Sequence, residues 1–197
     1  MEINVRNEDT GVLTPLECNG RNELLVAASG GKHAQAALDG RLFSAANQTP
    51  VATSTTLNTT FTGLGLCNPA GSGKNLIVHE FGYALDQAAA GEAVLALAIT
   101  TSSGFEADIT PQSAMYGNGT SVAIADAGAT IIAPTITKII GSLGQGADST
   151  QFMPPATNID LNGSIVIPPG RALVTDTTVA SGATAIQFSF MWEEVNE

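Results

Sequence analysis

Alternation at a period of two is the feature that most restricts how this chain can fold. In NLIVHEFGYALD, starting at Asn75, the residues Ile77, His79, Phe81, Tyr83 and Leu85 fall on one side of an extended backbone. Leu76, Val78, Glu80, Gly82 and Ala84 fall on the other, because successive side chains of a strand point to opposite faces. AIQFSFMWEEV repeats the pattern: Ile186, Phe188, Phe190 and Trp192 point one way and Gln187, Ser189, Met191 and Glu193 the other.

From Leu24 onward, similar short runs recur between Gly, Pro, Asn and Asp. HAQAAL is closed by Asp39-Gly40, a hairpin signal, and RLFSAAN follows it. TSTTLNTTFTGLGL is Thr-rich and favours strand. EAVLALAITT is more uniformly apolar, as expected of a strand buried on both faces. SVAIAD and ATIIAPTITKII continue the series, and Pro134 within the latter implies an edge, a bulge or a break. NIDLNG and SIVIPPGRALVTD read as a pair, with Pro168-Pro169-Gly170 as the turn into RALVTD. DQAAAGEAVLALA contains helix formers but no helical stripe, and Gly91 interrupts it. About ten strands separated by turn signals predict an all-β fold, a jelly-roll-like antiparallel β-sandwich. The Cys…Trp…Cys arrangement of immunoglobulin domains is absent. Residues 1–23 are polar and mixed, with Gly11, Pro15 and Asn19-Gly20, and read as an extended N-terminal arm; residues 24–197 form the sandwich domain.

Charge narrows the function. Seven Lys and Arg face 18 Asp and Glu, a net charge of −11, and only 13% of residues are charged, against about 25% in a typical soluble domain. With no basic cluster, phosphate backbones would be repelled, so no direct nucleic-acid binding is expected. No apolar run approaches the ~20 residues that span a bilayer, so no membrane partner is expected either. MEINVRNEDTG has no basic and apolar leader pattern, so synthesis in a cytoplasm is expected, with Asn58, Asn118 and Asn162 unglycosylated. Cys18 and Cys67 are then expected as thiols. So small-residue-rich and weakly charged a body suits burial between subunits.

Chemical motifs are few. NPAGSGKN contains Gly-Ser-Gly-Lys, the tail of a phosphate-binding loop, but Asn68 stands where the motif needs Gly, and Asn75 where it needs Ser or Thr. A strand pattern follows in place of a helix whose N-terminus could receive the phosphate. A Gly-permitted turn is the reading that remains, with Lys74 solvated or facing an acidic neighbour in an assembly. His79 has no carboxylate two residues away and reads as a partly buried histidine, not a metal ligand. Asp86, Glu92, Glu106, Asp108, Asp126, Asp148, Asp160 and Asp176 are scattered over turns and strand ends, where carboxylates are ordinarily solvated. A cross-strand pair of them would be needed to cut a glycoside. No calcium loop and no nucleophile elbow occurs. The chain is therefore expected to be no enzyme and to carry no catalytic residue, cofactor or metal.

Three places carry a family resemblance. LCNPAGSGKNLIVHEFGYAL, SIVIPPGRALV and IQFSFMWEEV resemble the turn-and-strand segments of tailed-bacteriophage jelly-roll virion proteins, most of all capsid decoration (cement) proteins. The resemblance implies a homotrimer bound to the major capsid protein on the outer surface of the virion head, locked to its neighbours by an N-terminal arm. Within the arm it makes Val5, Arg6, Val12, Leu13 and Leu16 the expected capsid or subunit contacts. The alternative is a tail, neck or fibre protein whose jelly roll binds host glycans, with exposed loop aromatics such as Tyr116 as contacts.

Overall fold

The computed structural model describes residues 4–6, 13–15, 31–51, 63–85, 93–128, 134–143, 157–177 and 186–197. The chain divides into two compact units, Met1–Ala34 and Gln35–Glu197. In the first, β1 (Asn4–Arg6) and β2 (Leu13–Pro15) pair antiparallel, Val5 opposite Thr14 and Arg6 opposite Leu13.

The second unit is an antiparallel β-sandwich. After a five-residue helix, α1 (Ala34–Leu38), which begins at the boundary, come β3 (Leu42–Ala46), β4 (Gly65–Asn68), β5 (Lys74–Leu85) and β6 (Ala93–Thr101). Short β7 (Gln112–Ser113) and β8 (Ile124–Asp126) precede β9 (Thr135–Leu143), β10 (Thr157–Ile167), β11 (Arg171–Thr177) and β12 (Ile186–Asn196). One sheet has the order β10-β5-β12-β3-β7 and the other β8-β4-β11-β6-β9.

The pairings are nested. Leaving aside β7 and β8, the first strand pairs with the last (β3 with β12), and the second with the next to last (β4 with β11). Inside these lie β5 with β10 and β6 with β9. Such nesting is what results when one long antiparallel ribbon rolls up on itself, which is the jelly-roll connectivity. The sandwich expected from the alternation is present, with ten strands among the described residues.

Its core lies between the sheets. Phe81 stacks with Phe188 and Tyr83 at ring separations of 6.0 and 6.2 Å and tilts against Phe190 at 5.2 Å, while Phe43 faces Trp192 at 6.3 Å. Leu64, Leu66, Leu95, Leu97 and Leu173 close the layer from the opposite sheet. Trp192 is fully buried, and β12 keeps the alternation expected of it. Strand β6 is buried on both faces over Leu95–Ala98, also as expected. Its outer face is covered by Phe105, which packs with Ala98, Val174 and Ile136. Pro134 stands immediately before β9, an edge strand.

Three expectations are corrected. The two faces assigned to residues 75–86 exchange partway along β5. Met191 lies opposite Glu80 but Trp192 lies opposite Val78, so His79 has no counterpart on β12. This one-residue bulge turns Leu76 and Val78 inward together with Phe81 and Leu85, since a single extra residue exchanges the faces. Second, NIDLNG and SIVI do not pair with each other's neighbours as a hairpin. They form one strand, β10, interrupted at Leu161–Ser164, where Asn162 (φ 50°) and Gly163 (φ 69°) loop out opposite the β5 bulge. The Pro-Pro-Gly turn then carries the chain into the other sheet, not back along the same one. Third, Asp39-Gly40 ends a short helix and not a hairpin, Gly40 (φ 67°) donating its N–H to Ala37, as glycine does after a helical C-terminus.

Candidate functional site

The NPAGSGKN segment is a strut at one end of the sandwich. Asn68 is fully buried at the end of β4. Its side-chain amide donates to the carbonyls of Lys74 (2.7 Å) and Ile167 (2.8 Å), and its oxygen accepts from the Ser72 hydroxyl (2.6 Å). The Asn68 carbonyl also receives the N–H of Gly170 (2.8 Å), so one residue joins the β4–β5 turn to the Pro-Pro-Gly turn. Gly71 (φ 77°) and Gly73 (φ 67°) supply the left-handed positions of the turn. Lys74 Nζ donates to Asn196 Oδ1 at 2.8 Å on the exposed surface. The Asn that breaks the phosphate-loop motif is the residue that organises the turn.

His79 finds its carboxylate across strands. Glu193 of β12 bonds Arg41 through one oxygen and lies 3.4 Å from His79 Nε2 through the other. Arg41 also pairs with Asp39 at 3.0 Å. Hydrogen bonds from Arg41 and Gln35 hold the Asp39 carboxyl below its ordinary value. The periodicity alone could not place Glu193 beside His79, because only the bulge turns the imidazole to the outer face.

Among the carboxylates expected to be solvated, Glu106, Asp108 and Asp160 are exposed, whereas Asp126 and Asp176 are buried. Asp126 accepts the N–H groups of Glu106 and Gly128, each at 2.7 Å, which pins the loop after β6 to β8. Glu194, unremarked in the sequence, is buried as well. It accepts from the Ser121 hydroxyl (2.5 Å), the Val122 N–H (3.0 Å) and Trp192 Nε1 (3.4 Å). Cys67 is free, and burial together with the charge of Asp126 pushes its thiol up to about 12. Among the described residues no three His, Cys, Asp or Glu side chains gather as a metal site. Nor is any helix there long and apolar enough to cross a membrane. Val5, Arg6 and Leu13 lie in the β1–β2 pair, while Val12, Leu16, Cys18, Asn58, Asp86, Glu92 and Asp148 fall outside the described residues.

A concavity crosses the outer face of the β10-β5-β12-β3 sheet, with a volume of about 540 Å³. Its floor is made of small side chains, Ala46, Gly82, Ala84 and Ser189. A Cβ at Gly82 would lie 2.5 Å from Ser189 Oγ, so a larger residue there would have to displace that hydroxyl. At one rim Asn158 donates to Glu80 at 2.7 Å. Glu80 is the one ionisable side chain of the floor and rim apart from Tyr83. The trough therefore offers amides, hydroxyls and a carboxylate on a shallow, nearly uncharged surface.

A second feature lies at the corner formed by α1 and the loop after β7. Met115–Asn118 is a turn closed by the Asn118 N–H on the Met115 carbonyl (2.9 Å), with Gly117 at φ 82°. It presents Tyr116 at 90% exposure, as expected for that loop aromatic. Comparison with known proteins gives no matching family model, no matching curated protein and no matching solved structure.

Proposed function

We propose that this chain is a structural protein of a tailed-phage virion, a decoration protein that binds the outer surface of the head and stabilises it. The observation that carries the reading is the organisation of the chain: a jelly-roll body that begins at Gln35, preceded by a separate unit that contains the β1–β2 ribbon. A sandwich body preceded in the chain by a small unit of its own suits clamping. The body occupies a shell position, and the segment, with Val5, Arg6, Val12, Leu13 and Leu16 as contacts, reaches the major capsid protein or a neighbouring copy. Such clamping needs buried area and strand addition and no catalytic group. The acidity of the chain suits a place outside the shell, away from packaged DNA.

Electron microscopy of virions is the test. Density for the sandwich at three-fold or quasi-three-fold head positions is the expected result, and density confined to the tail would sink the reading. Deleting residues 1–20 should leave a folded sandwich that no longer holds to heads; undiminished binding would count against clamping by the arm.

A second reading, a tail or fibre protein that binds host glycans, draws on the trough with its Glu80–Asn158 rim and on the exposed ring of Tyr116. Glycan-array binding abolished by Asn158→Ala or Tyr116→Ala would favour it, and a blank array would remove it.

A further inference from the structure

Asparagine is a chemically labile residue, most of all before glycine. With no side chain on the glycine, its backbone nitrogen can reach the asparagine Cγ and close a five-membered imide. The sequence contains this pair three times, at Asn19-Gly20, Asn118-Gly119 and Asn162-Gly163. The first lies outside the described residues. The other two asparagines are both exposed, but the fold treats them differently.

Asn118 is tied down. Its Nδ2 donates to the Leu38 carbonyl at 3.2 Å and contacts Met115 Sδ at 3.6 Å, and its N–H donates to the Met115 carbonyl at 2.9 Å. Gly119 sits against the Gly40 backbone, where a Cβ would lie 2.6 Å from the carbonyl oxygen. Bringing Gly119 N to Asn118 Cγ would disturb these contacts together.

Asn162 stands on the edge strand β10, in the 161–164 stretch that has no counterpart on β5. The ladder resumes on either side, with Asp160 opposite Glu80 and Ile165 opposite Val78. The stretch can therefore swing without parting a ladder pair, a local opening that costs far less than unfolding. The Asn162 N–H donates to Asp160 Oδ1 at 2.8 Å on the exposed surface, a bond that does not engage the side-chain amide. The fold also demands the labile pair at this place. Asn162 is the one non-glycine residue with positive φ (50°) among those described, a conformation that asparagine tolerates better than most side chains. Gly163 follows at φ 69°, and a Cβ on it would meet Ile77 Cγ2 at 2.9 Å. A bulkier residue, which would slow closure of the imide, is disfavoured there.

We propose that Asn162 is a site of spontaneous deamidation selected by the fold, and that the folded protein ages there and not at Asn118. Gly163 N attacks Asn162 Cγ and gives up its proton, and the side-chain nitrogen leaves with that proton as ammonia. Water then opens the imide at either carbonyl, to aspartate or isoaspartate. Nothing is oxidised or reduced. Isoaspartate lengthens the backbone by a methylene, which a stretch already outside the ladder absorbs without a change of register on either side. Either product adds a carboxylate near Asp160 and Glu80, on a chain that already carries −11.

The test holds the full purified chain folded at mildly alkaline pH and maps its peptides by mass at intervals. Asn162 should exchange NH2 for OH at least tenfold faster than Asn118. In denaturant, where only the sequence acts, the two should convert at similar rates. Asn162→Asp, which fixes one of the products, should keep the wild-type circular dichroism and a Tm within a few degrees of it. Absence of conversion at Asn162, equal rates at the two sites, or a faster Asn118 in the folded chain would overturn the proposal. So would a ratio that denaturant leaves unchanged, since the sequence and not the fold would then select the site, or an Asn162→Asp chain that does not fold. No partner enters the experiment, and whether the sandwich sits on heads is decided separately by microscopy.

Discussion

The side-chain amide of Asn68 reaches the carbonyl of Ile167, 99 residues further along the chain, at 2.8 Å. Through that bond, and through the Ser72 and Lys74 contacts of the same side chain, the β4–β5 turn is tied to the end of β10. Replacement by alanine would take the amide donor from the buried Ile167 carbonyl and leave the Ser72 hydroxyl and the Lys74 carbonyl only their own longer contact at 3.3 Å. Each such group costs about 1–3 kcal/mol. Asn68→Ala should therefore lower stability by roughly 3 kcal/mol in denaturant titration. Asn68→Asp should be worse, since an acceptor would then face two carbonyl oxygens. A loss under about 0.5 kcal/mol for the alanine would mean that the turn holds itself.

Gly65 lies under the ring of Phe105, where a Cβ would fall 2.5 Å from Cε1. Gly65→Ala should expel Phe105 from the outer face of its sheet at a cost of about 1–3 kcal/mol. Adding Phe105→Leu should recover part of the loss. A double-mutant cycle reads the coupling directly, and strict additivity would show that the ring has other room.

Glu194 receives the Ser121 hydroxyl, the Val122 N–H and the indole N–H of Trp192. Glu194→Gln replaces one accepting oxygen with a donor amid donors. A loss of about 1–3 kcal/mol is expected, together with a shift in the emission of Trp192, the single tryptophan. Unchanged emission and stability would mean that the loop at 121–123 is held some other way.

Cys67 gives a pH prediction. Its thiol is raised from an ordinary 9.0 to about 12 by burial and by Asp126, so the fold favours the protonated form. That contribution is complete below the unfolded value and declines as pH rises from about 9 towards about 12, because only the unfolded chain ionises in that interval. Cys67→Ala should flatten the alkaline fall in Tm. At pH 8 the native thiol should react with a disulfide reagent far more slowly than the unfolded one.

How much of this was legible in the sequence follows from what alternation can encode. Trp192, Phe190 and Phe188 were placed correctly because β12 runs without a bulge between two partners. His79 was not, because β5 carries an extra residue that nothing local announces, and one residue exchanges the faces. Asn162-Gly163 has hairpin composition yet bulges within a strand, since positive φ serves either end and neighbouring strands decide which. That NPAGSGKN departs from the phosphate-loop motif is readable from Asn68 and Asn75. What Asn68 does instead depends on Ile167, and no local pattern could supply that partner.

The nested pairings also set when folding can happen during synthesis. Strand β12 lies between β3 and β5, so the sheet has a gap at its middle until residues 186–196 have been made. Until then Phe43, Phe81 and the facing leucines lack the aromatic strand that covers them. The nascent chain must remain open, its apolar surfaces available to chaperones or to other nascent chains, until its far end closes the roll. Many copies made side by side would meet in that unfinished state, so the rate of closure bears on yield as much as final stability does.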